Sequence, residues 1–172
     1  VLFRSILDEF LSQLDARQLR RDTPVLGVVA GQPASGKSRT IGQMQHEAGR
    51  PFAVLDSDEL RLLHPQMDEI MQRDPFRMDV LSNGPVGEWM SGALAHCRSR
   101  GYDTVIENTM TNPDELRTTL ETFRDAGFTV HAEVLAVPEP VSRLGIVTRY
   151  LAGADLSRSP RWTTEASHQR AF

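Results

Sequence analysis

Residues 27–43 read GVVAGQPASGKSRTIGQ, and three kinds of local sequence follow one another in this stretch. It opens with a short apolar, β-branched run, which is typical of a strand buried on both faces. A glycine-rich turn comes next, and residues 37–48 then have helical spacing. The turn, Gly31 to Ser38, fits G-x-x-x-x-G-K-[ST] without a mismatch. This order of strand, glycine-rich loop and helix predicts a loop that binds the phosphates of a nucleotide.

The residue types of this loop agree with that chemistry. Its glycines allow successive backbone N–H groups to face phosphate oxygens, and the following helix adds the positive end of its dipole. We expect Lys37 to reach the β- and γ-phosphates and the Ser38 hydroxyl to bind Mg²⁺. The predicted nucleotide-binding residues are Gly31, Gln32, Pro33, Ala34, Ser35, Gly36, Lys37, Ser38 and Arg39.

Strand-like and helix-like segments alternate along the rest of the chain. This alternation predicts an α/β fold, a P-loop NTPase-type three-layer sandwich with a mostly parallel central sheet. In such sheets ligands gather at the carboxyl ends of the strands. The predicted strands are 25–30, 52–56, 102–107 and 128–137, and the predicted helices are 2–14, 37–48, 57–64, 66–72, 85–99, 113–126 and 138–151.

Length and composition predict one domain. We expect residues 1–22 to form a helix and connector, and residues 23–172 to form a nucleotide-binding core that lacks its C-terminal end. The net charge of −4, with mixed signs along the chain, argues against nucleic-acid or membrane-surface binding. Cys97 is the only cysteine, which favours a packing role in a reducing, cytoplasmic compartment.

Missing motifs narrow the class of nucleotide-binding protein. The chain contains neither N-K-x-D nor D-x-x-G, so the signatures of a GTP-binding switch are absent. Among small nucleotide-binding proteins, this leaves a small kinase as the predicted class. Such a kinase needs one carboxylate to orient and deprotonate an acceptor hydroxyl.

The segment VLDSDELRLLHP supplies this carboxylate: Asp56 ends a strand, and Asp58 follows at the start of a helix, beside the glycine-rich loop if strands 25–30 and 52–56 are near neighbours. The alternative is that Asp56, Ser57 or Asp58 merely caps the next helix. A further alternative is that one of the two acids, in the first place Asp56, holds Mg²⁺ through water.

Further blocks of sequence resemble the zeta-toxin family of P-loop kinases, the toxic halves of bacterial toxin–antitoxin pairs. The resemblance runs from about Val25 to Gln169. Its most specific part is the combination of the D-x-D-x-x-R-x-x-H-P pattern, the strand-end E-x-T and the paired downstream arginines. In addition to the glycine-rich loop, it rests on the blocks DSDELRLLHP, RGYDTVIENT, AVPEP…LGIVTRY and PRWTTEASHQ.

The resemblance implies that ATP, with Mg²⁺, phosphorylates the 3′-hydroxyl of the amino sugar in UDP-N-acetylglucosamine and so blocks cell-wall synthesis. It also implies an antitoxin partner or an inhibitory segment in cis, for which the amphipathic residues 1–19 are a candidate. It implies catalytic roles for Lys37, Asp58, Arg149 and Arg161, with sugar-nucleotide contacts from Asp58, Glu107 and Thr109.

Two positions depart from the family pattern. Asn108 stands where the family usually has glycine, and Ser91 stands where a second sugar-binding glutamate is expected. Glu88, about one helical turn earlier, is the predicted replacement. These departures leave two alternatives open. One is a P-loop kinase acting on another nucleotide sugar or on a nucleotide or dinucleotide ribose, and the other is a degenerate ATP-binding regulatory module.

Overall fold

A computed structural model describes residues 2–17, 19–155 and 162–171 of the chain. Strands and helices alternate after a first helix, as the sequence predicts. A short 3₁₀ turn at Pro75–Arg77 precedes the longest helix. The elements are α1 (Leu2–Asp15), β1 (Val25–Gly31), α2 (Lys37–Ala48), β2 (Ala53–Leu55), α3 (Ser57–Leu62), α4 (Met67–Arg73), α5 (Met78–Arg100), β3 (Thr104–Asn108), α6 (Pro113–Asp125), β4 (Thr129–Leu135), α7 (Glu139–Asp155) and α8 (Glu165–Gln169).

The four strands form one parallel sheet in the order β2-β3-β1-β4. The fold is therefore of the predicted α/β class. β3 lies between β1 and β2, so the strand that leads to Asp58 is one strand removed from the strand that leads to the glycine-rich loop. The register pairs Val29 with Glu107, which places the end of β3 beside the start of that loop.

Alternate residues of β1 face two different layers of helices. Leu26 and Val28 pack with Phe123 of α6, while Val29 packs with Ile41 of α2 on the opposite face. Helices α1 and α5 pack over β2, where Leu14, Leu55 and Cys97 share a buried cluster. The two faces of the sheet are thus covered by different helices, which is the three-layer arrangement. None of the helices that the structure describes combines the length and apolarity needed to cross a membrane.

Helix α5 begins seven residues earlier than the sequence predicts. Pro85 favours a helix start, but it lies inside the helix, where proline costs about 3 kcal/mol. Met78, Ser82, Val86 and Trp89 recur at helical spacing before and after it, and all four are buried. Trp89 and Val86 pack with Leu60 of α3. This packing extends the helix through the proline because it buries one continuous face.

Candidate active site

The glycine-rich loop joins the carboxyl end of β1 to the first turn of α2. Gly31 has φ 153°, and a Cβ there would lie 2.5 Å from the backbone oxygen of Leu135. Gly36 has φ 96° and immediately precedes α2. Lys37 and Ser38 open that helix, where backbone N–H groups have no acceptor within the helix. The loop therefore offers unpaired donors at a helix N-terminus, an arrangement suited to an anion.

Lys37 is held at the mouth of this loop. Its side chain is almost entirely buried, and its Nζ donates hydrogen bonds to the backbone oxygens of Gly31 (3.0 Å) and Gln32 (2.9 Å). Nζ also lies 3.6 Å from Oε1 of Glu107. Burial lowers the pKa of Lys37, and the Glu107 carboxylate opposes that shift. The ammonium group is therefore placed by three oxygen atoms.

Glu107 connects the two predicted phosphate-binding side chains. Its Oε2 accepts a hydrogen bond of 3.2 Å from the Ser38 hydroxyl, while its other oxygen faces Lys37. Asp56, in contrast, accepts from the backbone N–H of Asp58 at 2.8 Å and caps α3. The structure thus brings Glu107, and not Asp56, into contact with Ser38.

Hydroxyl and carboxylate oxygens are the ligands that Mg²⁺ prefers, so Ser38 and Glu107 fit this ion. In the described part of the chain, no three His, Cys, Asp or Glu side chains group to hold a metal. A magnesium ion needs only one or two protein ligands when nucleotide phosphates and water complete its coordination.

Asp58 lies at the start of α3 and is oriented by a buried arginine. Its Oδ1 accepts a 2.7 Å hydrogen bond from Arg61, one helical turn further on. Arg61 is only 7% exposed and also donates to Ser82 Oγ and to Asn83 Oδ1, both at 2.8 Å. Arg61 is the arginine of the D-x-D-x-x-R-x-x-H-P pattern, but the sequence alone does not assign it a role. Its i, i+3 spacing from Asp58 was the available signal.

Asp58 and Glu107 stand where two cavities meet. A cavity of about 240 Å³ contains the cationic groups, and one of about 220 Å³ lies under α5 and α6. The first is lined by Lys37, Arg61, Arg149 and Arg170. The second combines hydroxyl, amide and carboxylate groups with an apolar floor. Its polar lining includes Asp56, Asn108, Thr109, Asn112, Glu115 and Thr119. Both cavities share Ser57, Asp58, Glu107, Thr109 and Thr111.

The remaining predicted residues divide into those near the cavities and those away from them. Arg149 of α7 lines the cationic cavity, and its Nη2 lies 3.5 Å from Thr163 Oγ1. Arg39 is exposed on the first turn of α2, and Glu88 is exposed on α5 and lines neither cavity. Arg161 lies outside the described residues. Arg170 and Asn83 line the cationic cavity without a sequence signal.

A glycine-rich loop of sequence G-x-x-x-x-G-K-S between β1 and α2 of a parallel sheet is the signature of a P-loop fold. Residues 11–172 match the family model described as Zeta toxin, and the chain belongs to the zeta toxin family.

The similar proteins agree with this membership. "Toxin zeta" of Enterococcus hirae is 28% identical over 173 residues, which cover 99% of this chain and 60% of that protein. "Toxin PezT" of Streptococcus pneumoniae serotype 4 is 22% identical over 148 residues, covering 86% and 58%. The chain therefore spans about 60% of the length of the curated relatives it matches.

Two solved structures show a similar fold. A chain from the PezAT chromosomal toxin–antitoxin system of Streptococcus pneumoniae has a TM-score of 0.83 at 22% identity. The match covers 92% of this chain and 66% of that one. A chain from the AvrRxo1-ORF1:-ORF2 complex with ATP has a TM-score of 0.61 at 13% identity, covering 98% and 55%.

Proposed function

We propose that this chain is the catalytic part of an ATP-dependent kinase of zeta-toxin type. Its proposed reaction is phosphorylation of the 3′-hydroxyl of the amino sugar in UDP-N-acetylglucosamine, which blocks cell-wall synthesis. The observation that carries the proposal is that Lys37, Asp58 and Arg149 line one cavity. A phosphate-binding lysine, a carboxylate and a further cation are the groups that phosphoryl transfer to an alcohol needs.

In the proposed reaction the triphosphate of ATP lies along the glycine-rich loop, and the acceptor hydroxyl lies beside Asp58. The hydroxyl oxygen forms a bond to the γ-phosphorus while Asp58 takes its proton. The bond between the γ-phosphorus and the β–γ bridging oxygen breaks, and ADP leaves with that electron pair. Lys37 and Arg149 stabilise the negative charge that spreads over the transferring group. The resemblance adds Arg161 as a second cation.

Arg61 and Glu107 support these roles from outside the reacting atoms. Arg61 fixes the carboxylate of Asp58 through its 2.7 Å hydrogen bond. Glu107 and Ser38 are the residues that would hold Mg²⁺, and the ion would neutralise part of the phosphate charge.

The acceptor is proposed to occupy the cavity of about 220 Å³ next to Asp58. Its hydroxyl, amide and carboxylate groups suit the many hydroxyls of a sugar, and its apolar floor suits the less polar face of a sugar ring. Glu107 and Thr109 are the predicted sugar contacts, and both line this cavity. Glu88 stays a prediction, because its exposed position on α5 is separate from that lining.

An antitoxin protein is the proposed macromolecular partner. The family membership supports this proposal, since one relative is named Toxin PezT and a solved structure of similar fold comes from the PezAT toxin–antitoxin system. An inhibitor that covers the cationic cavity would deny ATP its binding site. Residues 1–19 remain the alternative inhibitory segment.

The test is a phosphoryl-transfer assay with ATP, Mg²⁺ and a panel of UDP-sugars and dinucleotides, read by mass spectrometry. We expect one phosphoryl group on the amino sugar of UDP-N-acetylglucosamine and none on UDP-glucose, which lacks the acetamido group. Transfer only to a dinucleotide would reject the acceptor and keep the kinase. Absence of transfer to any alcohol, with ATP bound, would favour a regulatory ATP-binding module.

A further inference from the structure

One face of α7 packs directly on the tip of the phosphate-binding loop. Ser142, Gly145 and Arg149 recur at i, i+3 and i+7, so they lie on the same side of that helix. A Cβ on Gly145 would lie only 2.7 Å from the Cβ of Ala34. Arg149, at the far end of this face, lines the cationic cavity with Lys37. The loop and Arg149 are therefore placed by the same helix.

Ala34 has a backbone conformation that needs external support. Its φ is 58°, in the left-handed region that side chains other than glycine rarely adopt. Such residues persist when the surrounding structure fixes them. The peptide bond that enters this turn is the one between Pro33 and Ala34. In a planar trans peptide the C=O and the N–H point in opposite directions, so a hydrogen bond that fixes the Pro33 carbonyl also fixes the direction of the Ala34 N–H.

Ser142 holds that carbonyl, and His168 holds Ser142. The Ser142 hydroxyl donates to the Pro33 oxygen at 2.7 Å, and it lies 3.0 Å from His168 Nε2. A carbonyl oxygen only accepts, so the single proton of Ser142 goes to Pro33. His168 Nε2 must then be the donor in the second bond. Ser142 is fully buried and His168 is 3% exposed, so water cannot replace either bond without a rearrangement.

We propose that Ser142 and His168 are positioning residues for the phosphate-binding loop. The two side chains form a relay that runs from the His168 N–H through the Ser142 hydroxyl to the Pro33 oxygen. This relay holds the loop in the conformation that turns the Ala34 N–H toward a nucleotide phosphate. The relay also ties α8 to the loop, and α8 is followed by Arg170 in the cationic cavity. This inference rests on the proposed function, because a nucleotide is the ligand of the loop.

The test measures the dissociation constant of magnesium ADP by isothermal titration calorimetry. Ser142→Ala leaves the Pro33 oxygen without its buried donor, and we expect binding to weaken about tenfold. His168→Leu should weaken it by a similar factor. His168→Gln should stay within about twofold of wild type, because a glutamine amide nitrogen can donate from nearly the position of Nε2. Thr148→Ala is the matched control, since Thr148 is an exposed hydroxyl on α7 that bonds only within its own helix.

The steady-state constants separate positioning from general damage. We expect the KM for ATP to rise in Ser142→Ala and His168→Leu, while the KM for the acceptor stays unchanged in both variants. The melting temperature of His168→Gln should equal that of wild type. Wild-type affinity in both Ser142→Ala and His168→Leu would overturn the positioning role, and so would loss of binding in His168→Gln equal to that in His168→Leu. Failure of the wild-type chain itself to bind magnesium ADP would instead reject the proposed function, and the positioning role with it.

Discussion

Replacing Arg61 with alanine tests how the carboxylate of Asp58 is held. Arg61 makes three side-chain hydrogen bonds from a buried position, to Asp58, Ser82 and Asn83. A hydrogen bond with a charged partner contributes about 1.5–3 kcal/mol. The lower end applies to the bond with Asp58, because 27% of that side chain is exposed to solvent. Burial of the guanidinium opposes part of the total, so we expect Arg61→Ala to lower the free energy of unfolding by about 2 kcal/mol.

Urea and thermal unfolding measure this change without any assumption about activity. For a chain of this size about 2 kcal/mol corresponds to a melting-temperature decrease of about 4–8 °C. A double-mutant cycle with Asp58→Ala should give a coupling energy of about 1 kcal/mol. Arg73→Ala is the matched control, because Arg73 forms an exposed i, i+4 pair with Glu69 on α4. That substitution should cost less than about 0.5 kcal/mol.

Two results would refute this reasoning. One is an Arg61→Ala variant as stable as Arg73→Ala, and the other is a coupling energy with Asp58 that is indistinguishable from zero. Arg61→Lys provides a further check, since lysine keeps the charge but lacks the planar fork. It should recover part of the stability and little of the orientation of Asp58.

Three other predictions concern a buried thiol, a buried imidazole and two glycines. Burial raises the pKa of Cys97 to about 11, so the thiol stays protonated at pH 8. A disulfide reagent should therefore label Cys97 only in denaturant, and rapid labelling of the folded chain would contradict this. Burial lowers the pKa of His64, so the unfolded state takes up the proton more readily and the free energy of unfolding should fall as pH drops below about 6.5. His64→Asn, which retains an acceptor for the N–H of Gln66, should flatten that dependence in urea melts, and an unchanged slope would refute it. Gly31→Ala should cost at least about 2 kcal/mol because its Cβ would clash with backbone. Gly87→Ala, which has open space around it and no proline after it, should stabilise α5 by about 0.5–1 kcal/mol in the same melts.

The β1–loop–α2 unit is the part of the fold that local sequence determines most completely. The sequence predicts a strand at 25–30 and a helix at 37–48, and the structure has β1 at Val25–Gly31 and α2 at Lys37–Ala48. The signals for this unit lie in neighbouring residues: an apolar run, the glycines of the loop and Gly49 after the helix. These signals predict the phosphate-binding loop without knowledge of the rest of the fold.

Long-range partners explain what local sequence did not predict. The insertion of β3 between β1 and β2 is a pairing choice that no local pattern encodes. The early start of α5 depends on packing against α3, which outweighs the signal from Pro85. Only its spacing from Asp58 marks Arg61 in the sequence, since its other partners, Ser82 and Asn83, follow 21 and 22 residues later. The pairing of Ser142 with His168 is hidden for the same reason.

Turnover and nucleotide affinity of Asp58→Asn, measured side by side, test the central claim most directly. Asparagine keeps the size and an acceptor oxygen of the side chain but has no basic carboxylate. General-base catalysis contributes about 10²–10⁴-fold. We therefore predict that phosphoryl transfer to the acceptor falls by about this factor while the dissociation constant of magnesium ADP stays within about twofold of wild type. Full activity in Asp58→Asn would contradict the assignment of Asp58 as the base that prepares the acceptor hydroxyl.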